Sequence, residues 1–299
     1  MLTTSGSRSG RCLGLLALLA LTACAAADPP AESAGRDVKP LVVDLHRDHG
    51  WAAVHAERYE EATSYFQRIL TDLPEDGRAR LGLGEAYLGQ GRLDDALAQF
   101  ESLDDPAHAA LEAKALQGQG IVLLRQGKRK KALGLLDQAV SMDEGLWRSW
   151  NALGRLRDAD RDHAAARRAY RKAIALNPKA AFLHNNLGFS LLASGEPVYA
   201  EMSLDRALEL DPRLAVAATN LRLALALQGR YGPALAGAGV EDRAVVLNNV
   251  GYAALLRGDH RKAKTLFLDA MAADPAFFRE AKRNLAFLET IEADHSLKP

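Results

Sequence analysis

The sequence predicts an all-α protein, a solenoid of stacked helix-turn-helix repeats closed by a C-terminal helix. Three series of residues carry that expectation. Small residues recur at Gly50, Gly84, Gly120, Gly154, Gly188 and Gly251, the first four spacings being 34, 36, 34 and 34. Twelve residues after each comes an alanine: Ala62, Ala96, Ala132, Ala166, Ala200 and Ala263. Pro74, Pro178, Pro212 and Pro275 close the repeats on the same period. A fixed period of this length marks a repeat array, in which each unit is too small to bury its own apolar face and packs on its neighbours instead. With 48% apolar and 25% charged residues, the chain has enough apolar surface to form such a core, and disorder over most of its length is excluded.

Ahead of the array, residues 1–11 carry Arg8 and Arg11 and no acid, and Cys12 to Leu21 is a ten-residue apolar run. That is the pattern of an export signal and falls short of the roughly 18–20 residues that a membrane-spanning helix needs. Leu21-Thr22-Ala23-Cys24 resembles the lipobox of bacterial lipoproteins. The resemblance implies removal of residues 1–23 and a lipid-bearing Cys24, anchored by several acyl chains because one chain holds only marginally. Ala25, and not aspartate, follows the cysteine, which points to the outer membrane. Cys12 and Cys24 are the only cysteines, so the body of the protein holds neither a disulfide framework nor a cysteine metal site. Residues 24–40 contain three prolines and read as a flexible tether with a reach of roughly 20–25 Å.

The array is expected over residues 41–292. Its repeats run over 43–76, 77–110, 113–146, 147–180, 181–214, a degenerate 215–243, and 244–277. A capping helix over 278–291 and a tail over 293–299 follow. Gly91, Gly127, Gly195, Gly229 and Gly258 lie seven residues after the inner-helix position and mark the turn between the two helices of a repeat. Leu176-Asn177-Pro178 and Leu210-Asp211-Pro212 end second helices, because a residue before proline disfavours the helical conformation. The sixth repeat is shortened, carries Arg222 where glycine is expected, and places Gly232, Pro233, Gly237 and Gly239 in its second half. That composition predicts a short second helix and an irregular step in the stack.

Repeat 147–180 shows Trp150, Leu153-Gly154, Ala166, Tyr170, Ala173 and Pro178, and on these residues the array resembles the tetratricopeptide repeat (TPR). The resemblance implies a right-handed solenoid whose first helices line a concave groove, with the second, fifth, sixth and ninth residues of each repeat facing it. Those positions carry Arg148, Asn151 and Arg155 in repeat four, and Asn185, Asn186 and Phe189 in repeat five. In repeats six and seven they carry Asn220, then Asn248, Asn249 and Tyr252. An amide ladder suits peptide capture, since each asparagine both donates and accepts, and arginines beside it suit a carboxylate.

Charge is arranged in blocks within a neutral total. Residues 24–112 hold 18 acids and 8 bases, and residues 125–172 hold 13 bases and 6 acids. The basic turn Lys128-Arg129-Lys130-Lys131 reads as a solvated surface, with anionic lipid head groups or an acidic protein surface as the alternative. Export and the lack of interleaved aromatics argue against nucleic acid as a partner. His46, His49 and His55 do not read as metal ligands, because His46 and His49 hold the core-facing fourth and seventh positions of the first repeat. No nucleophile elbow, zinc-protease helix or phosphate loop is present. The expectation is therefore a protein with no catalytic centre, cofactor, metal or small-molecule substrate.

The lipobox, the repeats and the stretch from Leu247 through Asn248-Asn249 to the terminal helix resemble the TadD lipoproteins of tight-adherence (Flp) pilus assembly. That resemblance implies a pilotin-like scaffold in the periplasm, with an outer-membrane secretin or another pilus component as partner. The alternatives are a TPR lipoprotein serving type IV pilus assembly, protease adaptation or polysaccharide export, or a regulatory subunit of an enzyme.

Overall fold

The computed structural model describes residues 38–103, 109–239, 242–274 and 278–296. The lipobox, Cys24 and most of the expected tether lie outside the described residues. Two compact bodies are distinguished, residues 1–44 and Leu45–Pro299. Of the first, the described part is the opening of helix α1.

Fifteen helices and no strand occur among the described residues. The first helices of the repeats are α1 (Val38–His55), α3 (Gly77–Gly89), α5 (Ala109–Arg125), α7 (Trp147–Ala159), α9 (Ala181–Ala193), α11 (Ala215–Leu227) and α13 (Arg243–Leu256). The second helices are α2 (Tyr59–Asp72), α4 (Leu93–Glu101), α6 (Arg129–Met142), α8 (His163–Leu176), α10 (Pro197–Leu210), α12 (Tyr231–Leu235) and α14 (His260–Ala273), and α15 (Phe278–Ser296) follows. The α-solenoid is thus observed, with boundaries that differ from expectation at three places. Helix α1 reaches back to Val38, into the stretch read as tether, α5 starts at Ala109, ahead of 113, and α15 runs to Ser296, beyond 291.

Within the second body, α3 packs on α5, α5 on α7, α7 on α9, α9 on α11 and α11 on α13, while second helices reach the next repeat through its first helix. The first helices from α3 to α13 therefore form one continuous inner layer. Helix α15 takes the next place, against α13 and α14.

The glycine series exists because a bulky side chain from the second helix lies against it. A Cβ on Gly154 would stand 2.5 Å from Cε1 of Tyr170, one on Gly188 2.6 Å from Cγ of Leu204, and one on Gly84 2.6 Å from Cε1 of Phe100. The buried alanine of the second helix, Ala166 in repeat four, lets the helices approach; the residue four positions later, on the same helix face, reaches the glycine. The spacing pointed to alanine as the glycine's partner, and the partner is the larger residue beyond it.

The turns follow the expected chemistry. Gly91 and Gly195 have φ of +76° and +77°, and the two repeats without glycine there hold Glu57 and Arg161 at +58° and +63°.

Repeat six departs as expected. Helix α12 has five residues. Arg222 takes the place of the glycine, and its Nη1 donates to the carbonyls of Ala234 at 3.0 Å and Ala236 at 2.7 Å. A guanidinium at a helix C-terminus satisfies carbonyls left without intrahelical partners and opposes the negative end of the dipole. The position that holds Tyr170 or Leu204 elsewhere is Ala238 here, so glycine and bulky residue are both replaced.

Candidate functional site

The inner layer divides by charge. In repeats two to four, the second and ninth positions include Arg78, Glu85, Lys114, Arg148 and Arg155; in repeats five to seven they are Phe182, Phe189, Val216, Leu223, Val245 and Tyr252.

Arg148 does not stand free. Its Nη1 lies 2.8 Å from both carboxylate oxygens of Glu85, two repeats away. The side chain of Glu85 is 11% exposed, so this pair is better shielded than an ordinary surface bridge. Glu85 was not singled out from sequence, because the pairing skips a repeat and neighbour-to-neighbour reasoning does not reach that far.

The asparagines bond to one another. Asn186 Nδ2 donates to Asn151 Oδ1 at 2.9 Å, and Asn220 Nδ2 donates to Asn185 Oδ1 at 3.0 Å. Asn185 Nδ2 reaches Asn186 Oδ1 at 3.4 Å, which links the two pairs into a run across α7, α9 and α11. Position six of one repeat thus bonds position five of the preceding one. Asn185 and Asn248 are buried, at 6% and 7% exposed, and are less open than the groove-facing positions expected of them. Asn248 Oδ1 accepts from Asn284 of α15 at 2.8 Å. Asn284 was missed, although its offset from Asn248 nearly repeats the one that joins the other pairs.

Asn249 breaks the rule. The residue it would meet at position five of repeat six is Thr219, whose hydroxyl donates instead to the Ala215 carbonyl at 3.1 Å. Asn249 is exposed, accepts only a long 3.5 Å bond from Asn248, and its Nδ2 is in no hydrogen bond among the described residues.

Three more expected residues are open: Arg155 is exposed, Phe189 is 52% exposed and Tyr252 is 43% exposed. Arg155, Phe189 and Asn186 line a cavity of about 710 Å³ whose wall also contains Asp158, His163 and Tyr170. Asp158 Oδ1 accepts from Ser190 Oγ at 2.7 Å and lies 2.9 Å from His163 Nδ1. Burial, and then the Asp158 carboxylate, push the Tyr170 hydroxyl well above the usual tyrosine pKa, against the pull of Arg155. That hydroxyl stays protonated at any physiological pH. A second cavity, of about 650 Å³, lies between α11 and α13.

The histidines have aromatic neighbours. His46 and His49 lie 5.8 and 5.4 Å from the Tyr65 ring, and His55 lies 6.3 Å from Trp51, with His49 more exposed than its core-facing position suggested. Lys128 to Lys131 are exposed, Lys128 in the turn after α5 and Arg129 to Lys131 in the first turn of α6. No helix among the described residues is long and apolar enough to cross a membrane.

Two tetratricopeptide-repeat family profiles match the chain, over residues 53–120 and 118–181. Residues 53–181 therefore carry tetratricopeptide repeats. The chain is 33% identical over 218 residues to "Cellulose synthase operon protein C" of Xanthomonas axonopodis pv. citri (strain 306), covering 68% of this chain and 14% of that protein. The chain therefore spans a small part of the length of that relative. Among solved structures it is similar to the APC/C hetero-tetramer Cut9-Hcn1, with a TM-score of 0.60 at 17% identity, over 84% of this chain and 50% of that one. It is also similar to the C-terminal part of a TPR repeat-containing protein from Cytophaga hutchinsonii, with a TM-score of 0.53 at 18% identity, over 80% and 99% of the two chains. These structural likenesses bear on the TPR fold alone.

Proposed function

We propose that this protein is a non-catalytic, lipid-anchored scaffold of the bacterial envelope whose inner TPR face holds a segment of a partner protein. The observation that carries the reading is that face: Arg155 and Phe189 stand open on α7 and α9, which bond to each other through Asn151 and Asn186, and Asn249 and Tyr252 stand open on α13, which is bonded to α15 through Asn248 and Asn284. A backbone held in this way leaves only the side chains to be ordered when a ligand binds, which favours recognition over a mobile surface. The lipobox supports an anchor at Cys24 and, with Ala25 after it, an outer-membrane address with the TPR body in the periplasm. The TadD-like C-terminal stretch supports a pilotin-like role, with a secretin or another Flp pilus component as partner.

A second reading is favoured by the similarity to a cellulose synthase operon protein, namely an adaptor in polysaccharide export. Capture from envelope extracts by the full-length, Cys24-anchored protein separates the two, since secretin or pilus components support one and cellulose-export components the other. Replacing Phe189 and Tyr252 by alanine should weaken capture by about tenfold or more, equivalent to roughly 1.4 kcal/mol. Replacing Cys24 by serine should release the protein from the membrane or leave it unprocessed. Capture that survives the double variant but is lost on reversing the charges of Lys128 to Lys131 would place the partner on the outer surface and end the inner-face reading.

A further inference from the structure

We infer that the shortened sixth repeat forms a pocket for one bulky apolar side chain, presented by an extended segment in which the adjacent residue is lysine or arginine. The inference deepens the inner-face reading above and rests on it. The pocket is the cavity of about 650 Å³ between α11, α13 and residues 237–239. That volume lies within the range of specific ligand pockets, roughly 300–1,000 Å³.

Its origin is visible in the repeat register. Elsewhere a bulky residue of the second helix fills the space against the inner-helix glycine, as Tyr170 and Leu204 do. In repeat six that residue is Ala238, and the helix that would carry it stops at Leu235. Arg222 does not refill the space, because its guanidinium is drawn to the carbonyls of Ala234 and Ala236. The array thus lacks its own knob at one step, and the cavity is the hole that remains.

The lining states what fits. Leu223, Val245, Val246 and Tyr252 supply apolar wall. Asn249 Nδ2 is free because Thr219 stands where a bonding asparagine would be, and Asn220 Oδ1 is in no hydrogen bond among the described residues. A donor and an acceptor on one floor match the carbonyl and N–H of an extended backbone, whatever its sequence. Two of the described lining residues are charged. Arg222 is engaged by carbonyls, whereas Asp242 is exposed and in no ion pair or side-chain hydrogen bond among the described residues. An apolar group inside and a carboxylate at the rim complement a segment with a large apolar side chain beside a cation, and oppose one with an acid there.

The test uses the full-length protein and two N-acetylated, C-amidated, dye-labelled peptides, Gly-Ser-Lys-Phe-Ser-Gly and its Phe-to-Ala counterpart, read by fluorescence anisotropy. The phenylalanine peptide should bind at least tenfold more tightly, and exchanging its lysine for glutamate should weaken it several-fold. Val245→Trp, at a position 41% exposed and so tolerant of a larger side chain, should fill the pocket and abolish binding without loss of helical content. Asp242→Lys should reverse the preference between the lysine and glutamate peptides. Equal binding of the phenylalanine and alanine peptides, wild-type binding by Val245→Trp, or no saturation by about 1 mM overturns the pocket. None of these outcomes depends on an envelope partner, so the pocket and the scaffold reading fail separately.

Discussion

A Cβ on Gly154 would stand 2.5 Å from a ring carbon of Tyr170, far inside the roughly 3.5–4.0 Å of carbon–carbon contact. Gly154→Ala should therefore destabilise the protein by about 1–3 kcal/mol through overpacking, more than the roughly 1 kcal/mol that alanine gains as a helix former. Gly134, in α6, is the contrast, because a Cβ there meets nothing within 4 Å. Gly134→Ala should stabilise by up to about 1 kcal/mol, and urea titration of both variants checks the opposite signs. The glycine series was legible because a period of 34 survives any change of side chain around it. Its partner was not, because small alanines recur more regularly than the residues beyond them, which vary among Phe66, Phe100, Leu136, Tyr170, Leu204 and Phe267. Arg222 and Ala238 were legible singly as departures from pattern. Their joint meaning, a missing knob, needed the contact between helices.

At the scale of the element, the turns inside the repeats carry unequal strain. Arg161 adopts φ of +63° where Gly195 has +77° in the next repeat. A left-handed conformation costs a residue with a Cβ roughly 1–2 kcal/mol, and glycine avoids that at some expense in unfolded-state entropy. Arg161→Gly should therefore raise the thermal midpoint, and Gly195→Ala should lower it by an equivalent of about 1 kcal/mol; differential scanning calorimetry reads both. Helix ends at Leu176 and Leu210 were legible from the prolines two residues on, and the brevity of α12 from its glycines and proline. The early start of α5 was not, since a register counted from Gly120 is blind to helix-forming residues added upstream, here Ala109, Ala110, Leu111 and Glu112. The run of α15 to Ser296 escaped for the same reason, because nothing periodic marks the end of a cap.

For the whole array, the asparagines were legible as a ladder but not as a ladder bonded to itself. Their pairing runs at the repeat period plus one, from position six back to position five, so aligning the repeats hides it. Changing Asn186, Asn220 and Asn249 together would cost inter-repeat bonds as well as ligand contacts, which is why Phe189, Tyr252 and Val245 are the cleaner probes of binding. The same geometry makes the stack a chain of nearest-neighbour contacts, with α15 as its last member. Leu288 and Ala281 of α15 are fully buried, and Asn284 supplies the one strong hydrogen bond to the buried Asn248. A chain ending before Phe278 should lose the Asn284–Asn248 hydrogen bond, about 0.5–1.5 kcal/mol net, and expose the Phe267 side of α14. If stability is passed only between neighbours, amide exchange should accelerate strongly in α13 and α14, weakly in α9 to α11, and not at all in α3 to α8. The step between α11 and α13 should mark the boundary, because the five-residue α12 gives repeat six less surface with which to hold repeat seven. Uniform acceleration across all helices would mean that the array unfolds as one cooperative body and that the irregular sixth repeat does not uncouple its ends.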